Sequence, residues 1–137
     1  MKRRDFLTLG ALGTAALALP SVALGDELVY RPGIVEQELK AGRLVLLDFY
    51  APWCGTCRAQ RRVIEALRAE NPEYDRRIAF VEVDWDSHRK AEITRKLKIP
   101  RRSTLVLLSP EGEVGRVVAE TSREAIKGLL DWAVEGS

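Results

Sequence analysis

Two cysteines separated by two residues are the most reactive feature of this 137-residue sequence, within residues 53–57, Trp-Cys-Gly-Thr-Cys. An apolar run precedes them and helical periodicity follows, which predicts that the pair lies where a strand passes into a helix. Cysteines three residues apart on a first helical turn share a face, so the sulfurs of Cys54 and Cys57 can close a disulfide. The unpaired N–H groups and the dipole of a helix N-terminus favour the reactive thiolate of Cys54.

Other uses of a cysteine pair have less support in this sequence. A closed zinc site needs a second ligand pair, and His88 is the only histidine. Covalent haem attachment needs a histidine directly after the second cysteine, where this chain has Arg58. A structural disulfide stays open as an alternative, although so short a loop gains little stability from chain entropy. We therefore predict redox chemistry at the pair, with no metal and no organic cofactor.

An acidic residue, Asp48, interrupts the apolar run of residues 44–50, six positions before Cys54. A charged carboxylate buried in a strand costs several kcal/mol, so burial is expected to raise its pKa. A buried acid of that kind can exchange protons with Cys57 during turnover. The alternative is a carboxylate at the end of the strand that hydrogen-bonds to the backbone.

The elements around these residues alternate between strand and helix. Apolar runs without alternation indicate strands that are covered on both faces, and apolar residues at helical spacing indicate amphipathic helices. The order α-β-α-β-α-β-β-α predicts an α/β domain over residues 26–137, with a mixed central sheet of about four strands and helices on both faces. The predicted strands are residues 44–50, 78–84, 104–108 and 114–119; the predicted helices are residues 34–39, 57–70, 87–97 (capped by Asp86) and the segment after a capping box formed by Thr121 and Glu124.

The first 25 residues have the layout of an export signal. Basic residues 2–4 precede an apolar stretch, residues 6–19, and then Pro20 and small residues. The pair Arg3-Arg4 resembles a twin-arginine signal, so we expect a periplasmic protein, with an uncleaved membrane anchor as the alternative. Three of the 22 basic and one of the 20 acidic residues lie here, which leaves 19 of each in the rest of the chain. That neutral remainder gives no support to nucleic-acid binding.

Residues 46–57, Leu-Leu-Asp-Phe-Tyr-Ala-Pro-Trp-Cys-Gly-Thr-Cys, resemble the active-site segment of the thioredoxin family. The resemblance extends over about residues 28–135 and implies a thioredoxin fold and dithiol–disulfide exchange. It also implies that Cys54 is the nucleophile, that Cys57 is the resolving thiol, and that Asp48 is the buried acid. Trp53 would then belong to the surface that binds substrate.

This sequence departs from the family at the loop that faces the cysteines. Thioredoxins have a cis-proline before the Thr-apolar strand, whereas this chain has Ser103 before Thr104. Either the Arg102–Ser103 bond is trans and the substrate groove is reshaped, or packing enforces a costly cis bond. Arg102 would lie beside the disulfide and either stabilise the thiolate, select acidic partners, or simply be solvated. We expect Ser103→Pro to give a groove closer to that of the family.

The sequence thus predicts an exported thiol–disulfide oxidoreductase that acts, as a monomer, on protein thiols and disulfides. Trp53, Arg102 and Ser103 would bind the substrate. In an oxidising compartment a reductase needs electrons, and the family resemblance implies a membrane electron-transfer partner. The alternative from another class is a thioredoxin-like binding module or assembly chaperone without redox turnover.

Overall fold

The computed structural model describes residues 27–135, so the predicted export signal, residues 1–25, lies outside the described part of the chain. The elements within it are β1 (Leu28–Val29), α1 (Ile34–Lys40), β2 (Leu44–Tyr50), α2 (Gly55–Glu70), α3 (Glu73–Arg77), β3 (Ile78–Asp84), α4 (Trp85–His88), α5 (Glu92–Lys96), β4 (Thr104–Ser109), β5 (Gly112–Val118) and α6 (Arg123–Glu135). None of these helices is both long and apolar enough to span a bilayer.

The strands form one mixed sheet in the order β1-β3-β2-β4-β5. Both neighbours of β3 are parallel to it, while β4 is antiparallel to β2 and to β5. The predicted α/β thioredoxin fold is therefore confirmed. The sheet has five strands rather than about four, because Leu28–Val29 pairs with β3. Two residues are too few to show a periodic pattern in the sequence.

The central strand β2 sends alternate side chains to opposite faces of the sheet, as its pleat requires. Val45, Leu47 and Phe49 enter the apolar cluster that α1 and the α4–α5 segment cover. Leu46 enters the other cluster, which α2, α3 and α6 cover. Helices thus cover both faces as predicted. Asp48 follows Leu46 by two residues, so its side chain lies on the same face of the sheet, the one that α2 covers.

Three local predictions about helices were wrong. The predicted helix 87–97 is two short helices, because Ala91 has an extended backbone between them, and Asp86 lies inside α4 instead of capping a helix. A short helix, α3, was not predicted; it starts after Asn71, whose side-chain oxygen accepts the Glu73 N–H. At α6 the capping oxygen belongs to Ser122, which accepts the Ala125 N–H at 3.1 Å, so the predicted capping box of Thr121 and Glu124 is replaced by a single cap one residue later.

Candidate active site

The two cysteines form a disulfide at the start of α2, with their Cα atoms 5.3 Å apart. Cys54 is the N-cap of this 16-residue helix, and its sulfur accepts the Cys57 N–H at 3.1 Å. This contact satisfies one of the N–H groups that a helix terminus leaves free. Cys57 is completely buried, whereas Cys54 keeps 3% of its surface exposed. Cys54 is therefore the sulfur that a second protein can approach.

Ser103 lies directly beneath the disulfide. Its hydroxyl oxygen is 3.2 Å from the Cys54 sulfur and 3.1 Å from the Cys57 sulfur, and its side chain is completely buried. The peptide bonds of the described residues are all trans, so the sequence alternative with a trans Arg102–Ser103 bond is the observed one. Ser103 instead adopts a left-handed backbone with φ of 65°. Its hydroxyl faces the sulfurs and not the solvent.

Gln60 holds this loop from the α2 side. Its side-chain N–H₂ group donates to the carbonyl of Ser103 at 3.0 Å and to that of Glu120 at 2.9 Å, and the residue has no exposed surface. Sequence reasoning missed this residue. The signal was its spacing, because Gln60 lies between Cys57 and Ile64 on the buried stripe of α2.

The backbone at Ser103 argues against the expectation that a proline would fit there. Proline is locked near φ of −65° and has no N–H, whereas Ser103 has positive φ and donates its N–H to the Phe49 carbonyl at 2.8 Å. We expect Ser103→Pro to lower the free energy of unfolding by about 3 kcal/mol, since it forces a loop rearrangement and leaves a buried carbonyl unpaired. Urea unfolding measures this, with Ser103→Gly as the control that tolerates positive φ; a proline variant as stable as the glycine variant would contradict the prediction.

Asp48 is buried on the α2 side of the sheet, with 4% of its surface exposed. Burial raises its pKa to about 7, although the Arg61 guanidinium, 3.3 Å from one carboxylate oxygen, opposes the shift. The other oxygen has no hydrogen-bond partner among the described residues. The next residue, Phe49, has its carbonyl oxygen 3.9 Å from the Cys57 sulfur. A carboxyl group that titrates near neutral pH therefore lies on the strand that passes behind the pair.

Arg61 joins Asp48 to two further carboxylates. The same guanidinium nitrogen lies 3.1 Å from Glu82 and 3.3 Å from Glu27, and the guanidinium stacks 3.7 Å above the Tyr50 ring. This cluster was not predicted from the sequence. Arg61 follows Cys57 by four residues, which places both on one helix face, and Glu82 lies opposite Asp48 in the parallel β2–β3 register. Burial also raises the pKa of Glu27, which lies beside this cluster.

An aromatic and cationic rim borders the disulfide. Trp53 is 55% exposed, and its indole N–H donates to the Asp86 carboxylate at 3.0 Å. The Arg102 guanidinium lies 4.6 Å from the centre of the indole ring, within cation–π range. Arg58 donates to the Pro52 carbonyl at 2.7 Å. In the described part of the chain, neither Arg58 nor Arg102 forms an ion pair with a carboxylate.

The six residues singled out from the sequence form three groups. Trp53 and Arg102 stack at the surface, Cys54, Cys57 and Ser103 are in mutual contact, and Asp48 is buried beside Arg61.

Comparison with known proteins gives a consistent result. Residues 32–131 match the protein family described as Thioredoxin. A thioredoxin of Chlamydia pneumoniae is 37% identical over 91 residues, which are 66% of this chain and 83% of that protein. The crystal structure of Trxlp from Edwardsiella tarda EIB202 superposes with a TM-score of 0.63 at 33% identity, over 77% of this chain and 97% of that one. The thiol:disulfide interchange protein DsbD 2 of Pseudomonas aeruginosa is 28% identical over 113 residues, 74% of this chain but 18% of that protein.

Proposed function

This chain belongs to the thioredoxin family, and from that premise we propose that it is an exported oxidoreductase with Cys54 as nucleophile and Cys57 as resolving thiol. Thiol–disulfide exchange with protein substrates follows from the family and from the Cys54–Cys57 pair. The observation that carries the assignment of roles is the disulfide at the start of α2, where Cys54 keeps 3% of its surface exposed and Cys57 keeps none.

In the proposed reaction the Cys54 thiolate attacks one sulfur of a partner disulfide. A bond forms between Cys54 and that sulfur, and the other partner sulfur leaves as a thiolate. Asp48, whose pKa burial raises to about 7, takes the Cys57 proton. The Cys57 thiolate then attacks the Cys54 sulfur and expels the second partner thiolate. Two electrons pass to the partner, and the Cys54–Cys57 disulfide forms again.

Reduction of insulin by dithiothreitol tests the catalytic assignment. The purified full-length protein is expected to accelerate precipitation of the reduced insulin chains, because its dithiol transfers electrons to the insulin disulfides. A thioredoxin-like binding module or assembly chaperone without redox turnover would leave the rate at its uncatalysed value. That outcome would remove the proposed activity while leaving the fold unaffected.

Export to the periplasm is proposed from residues 1–25, where a basic start, an apolar stretch and small residues follow one another. Cell fractionation of a tagged full-length chain tests it. We expect the wild type outside the inner membrane and the double substitution Arg3→Lys and Arg4→Lys in the cytoplasm. Retention of the wild type in the membrane pellet after alkaline extraction would support the uncleaved anchor instead. Unchanged periplasmic yield of the double variant would exclude twin-arginine dependence.

We also propose that the protein is a monomer and that a membrane protein supplies its electrons. A dithiol that reduces substrates in an oxidising compartment needs its own source of electrons, and the Cys54–Cys57 pair accounts for both cysteines of the sequence. Similarity to part of a thiol:disulfide interchange protein supports a partner of that class. Sizing chromatography with light scattering measures the oligomeric state. Reduction of the Cys54–Cys57 pair in energised membrane vesicles measures the electron supply.

For substrate recognition we propose that Trp53 and Arg102 form the contact surface, with Ser103 in the floor beneath it. Arg102 and Arg58 have no carboxylate partner in the described part of the chain, so this rim favours acidic residues next to the substrate disulfide.

We therefore expect Arg102→Gln to lower kcat/KM about fivefold for a disulfide peptide flanked by glutamates, and to leave a glutamine-flanked peptide unchanged. The effect should decrease at 1 M salt, where exposed charges are screened. Arg95→Gln, on the exposed surface of α5, is the matched control. Equal loss with both peptides would assign Arg102 to packing on Trp53 and not to charge selection.

A further inference from the structure

We propose that the Ser103 hydroxyl is a shared hydrogen-bond donor that stabilises whichever cysteine sulfur carries negative charge during exchange. Its oxygen lies 3.2 Å from the Cys54 sulfur and 3.1 Å from the Cys57 sulfur, so one hydroxyl reaches both reacting atoms. Because neither disulfide sulfur carries a proton, the hydroxyl is the donor, and its single hydrogen can point to either sulfur or lie between the two. The inference goes beyond the roles of the two cysteines and rests on their redox exchange.

The backbone holds this hydroxyl in place before any reaction starts. The Ser103 N–H donates to the Phe49 carbonyl at 2.8 Å, and the Ser103 carbonyl accepts from the Ala119 N–H at 2.8 Å and from Gln60 at 3.0 Å. Both strands beside the loop and the buried face of α2 therefore fix its position. A donor that is already oriented needs no reorganisation when charge develops nearby.

The chemical consequence differs between the two sulfurs. When the reduced enzyme attacks a partner disulfide, the thiolate is on Cys54, where the Cys57 N–H and the Ser103 hydroxyl both donate to it. When a partner thiolate attacks the Cys54 sulfur in the opposite direction, the Cys54–Cys57 bond breaks and Cys57 leaves as the thiolate. The same hydroxyl then donates to Cys57. It transfers no proton in either step.

A thiolate is a stronger hydrogen-bond acceptor than a disulfide sulfur, so the hydroxyl stabilises the reduced state more than the oxidised state. Stabilising the reduced state makes the disulfide more oxidising. A proline at this place has no side-chain donor. Ser103 therefore shifts this pair toward accepting electrons, relative to the same pair without the hydroxyl.

Other charged groups also bear on the sulfurs. Arg58 on α2 and Arg102 before β4 favour a thiolate, while Asp86 on α4 and buried Asp48 on β2 oppose it when they are ionised. None of these groups changes in a Ser103 substitution. The effect of the hydroxyl can therefore be measured against a constant background.

The test compares wild type with Ser103→Ala in two measurements that need no protein partner. In the first, the rate of Cys54 alkylation by iodoacetamide is followed against pH. We expect the midpoint of the profile to rise by about one pH unit in Ser103→Ala, because the Cys54 thiolate loses a hydrogen bond from the hydroxyl. In the second, the equilibrium constant with glutathione is measured. We expect it to shift about tenfold toward the Cys54–Cys57 disulfide, which corresponds to a reduction potential about 30 mV more negative.

Two further variants separate the hydroxyl from the backbone. Ser103→Gly also lacks the oxygen but accepts positive φ without strain, so it should move both measurements as far as Ser103→Ala does. Ser109→Ala removes another buried hydroxyl, at the far end of β4, and should move neither. An alkylation midpoint and glutathione equilibrium that stay at wild-type values in the alanine and glycine variants would overturn the inference. A wild-type protein that does not accelerate insulin reduction by dithiothreitol would instead reject the redox function on which the inference rests.

Discussion

Cys57→Ser is expected to hold partner proteins on Cys54 as stable mixed disulfides. The second step of the exchange needs a thiolate beside the Cys54 sulfur, and a serine hydroxyl cannot attack that sulfur. The buried position of Cys57 also prevents an outside thiol from taking its place easily. We expect insulin reduction to fall to the rate measured without the protein, and bands of higher mass that disappear with dithiothreitol to accumulate on non-reducing gels.

The matched variant is Cys54→Ser, which keeps the resolving cysteine and loses the more accessible one. It should be equally inactive in insulin reduction but should trap no partner, because Cys57 has no exposed surface. Trapping by Cys54→Ser and not by Cys57→Ser would reverse the roles of the buried Cys57 and of Cys54, which keeps 3% of its surface exposed. Absence of trapped species with both variants, in cells that express the full-length chain, would leave a thioredoxin fold without covalent exchange.

The features that local sequence patterns determine were predicted well. The strand of residues 44–50 is β2 with the same bounds, and residues 78–84 are β3, since both are mainly apolar runs of ordinary strand length with only one or two acidic residues. The cysteine pair at the strand-to-helix junction was predicted for the same reason. These features depend on neighbours within a few residues, which a sequence displays directly.

The features that depend on distant segments could not be predicted in the same way. Arg61 lies over Tyr50 and pairs with Asp48 of β2, which no pattern in α2 indicates. Glu82 of β3 and Glu27, which directly precedes β1, complete the cluster. The left-handed backbone of Ser103 depends on its bonds to Phe49 and Ala119, which are far away in the sequence. No local pattern at residues 100–104 specifies those partners.

Ser103 and Arg61 both affect how easily negative charge forms at the two cysteine sulfurs and on Asp48. Ser103 supplies a donor to the sulfurs, and Arg61 supplies a cation that partly offsets the burial of Asp48. The cysteines determine which reaction is possible. The distant contacts adjust how readily each protonation state forms, so the direction of electron flow depends on residues outside the Cys-X-X-Cys motif.

Asp48→Asn is expected to stabilise the fold at alkaline pH while slowing turnover. Burial raises the carboxyl pKa from 3.8 to about 7. Below pH 3.8 Asp48 is protonated in both the folded and the unfolded state, so it does not lower the free energy of unfolding. Between pH 3.8 and 7 the unfolded chain loses this proton while the native state keeps it, so the wild type loses stability as the pH rises. Above pH 7 the cost is fully present, at about 4 kcal/mol.

Because asparagine does not ionise, the difference in unfolding free energy between Asp48→Asn and wild type should grow in favour of the variant by about 4 kcal/mol from pH 3.5 to pH 8. Urea titrations at several pH values measure it, with Glu65→Gln, an exposed position on α2, as the control that should show no such trend.

Insulin reduction at pH 7 should fall on the order of a hundredfold in Asp48→Asn, because the Cys57 proton loses its acceptor. A pH-dependent gain in stability with unchanged turnover would show that Asp48 is buried at a cost and takes no part in the exchange. Turnover that falls without the pH trend would mean that the pKa of Asp48 is the same in the folded and unfolded states, and that a raised pKa is not what makes this carboxyl group useful in the exchange.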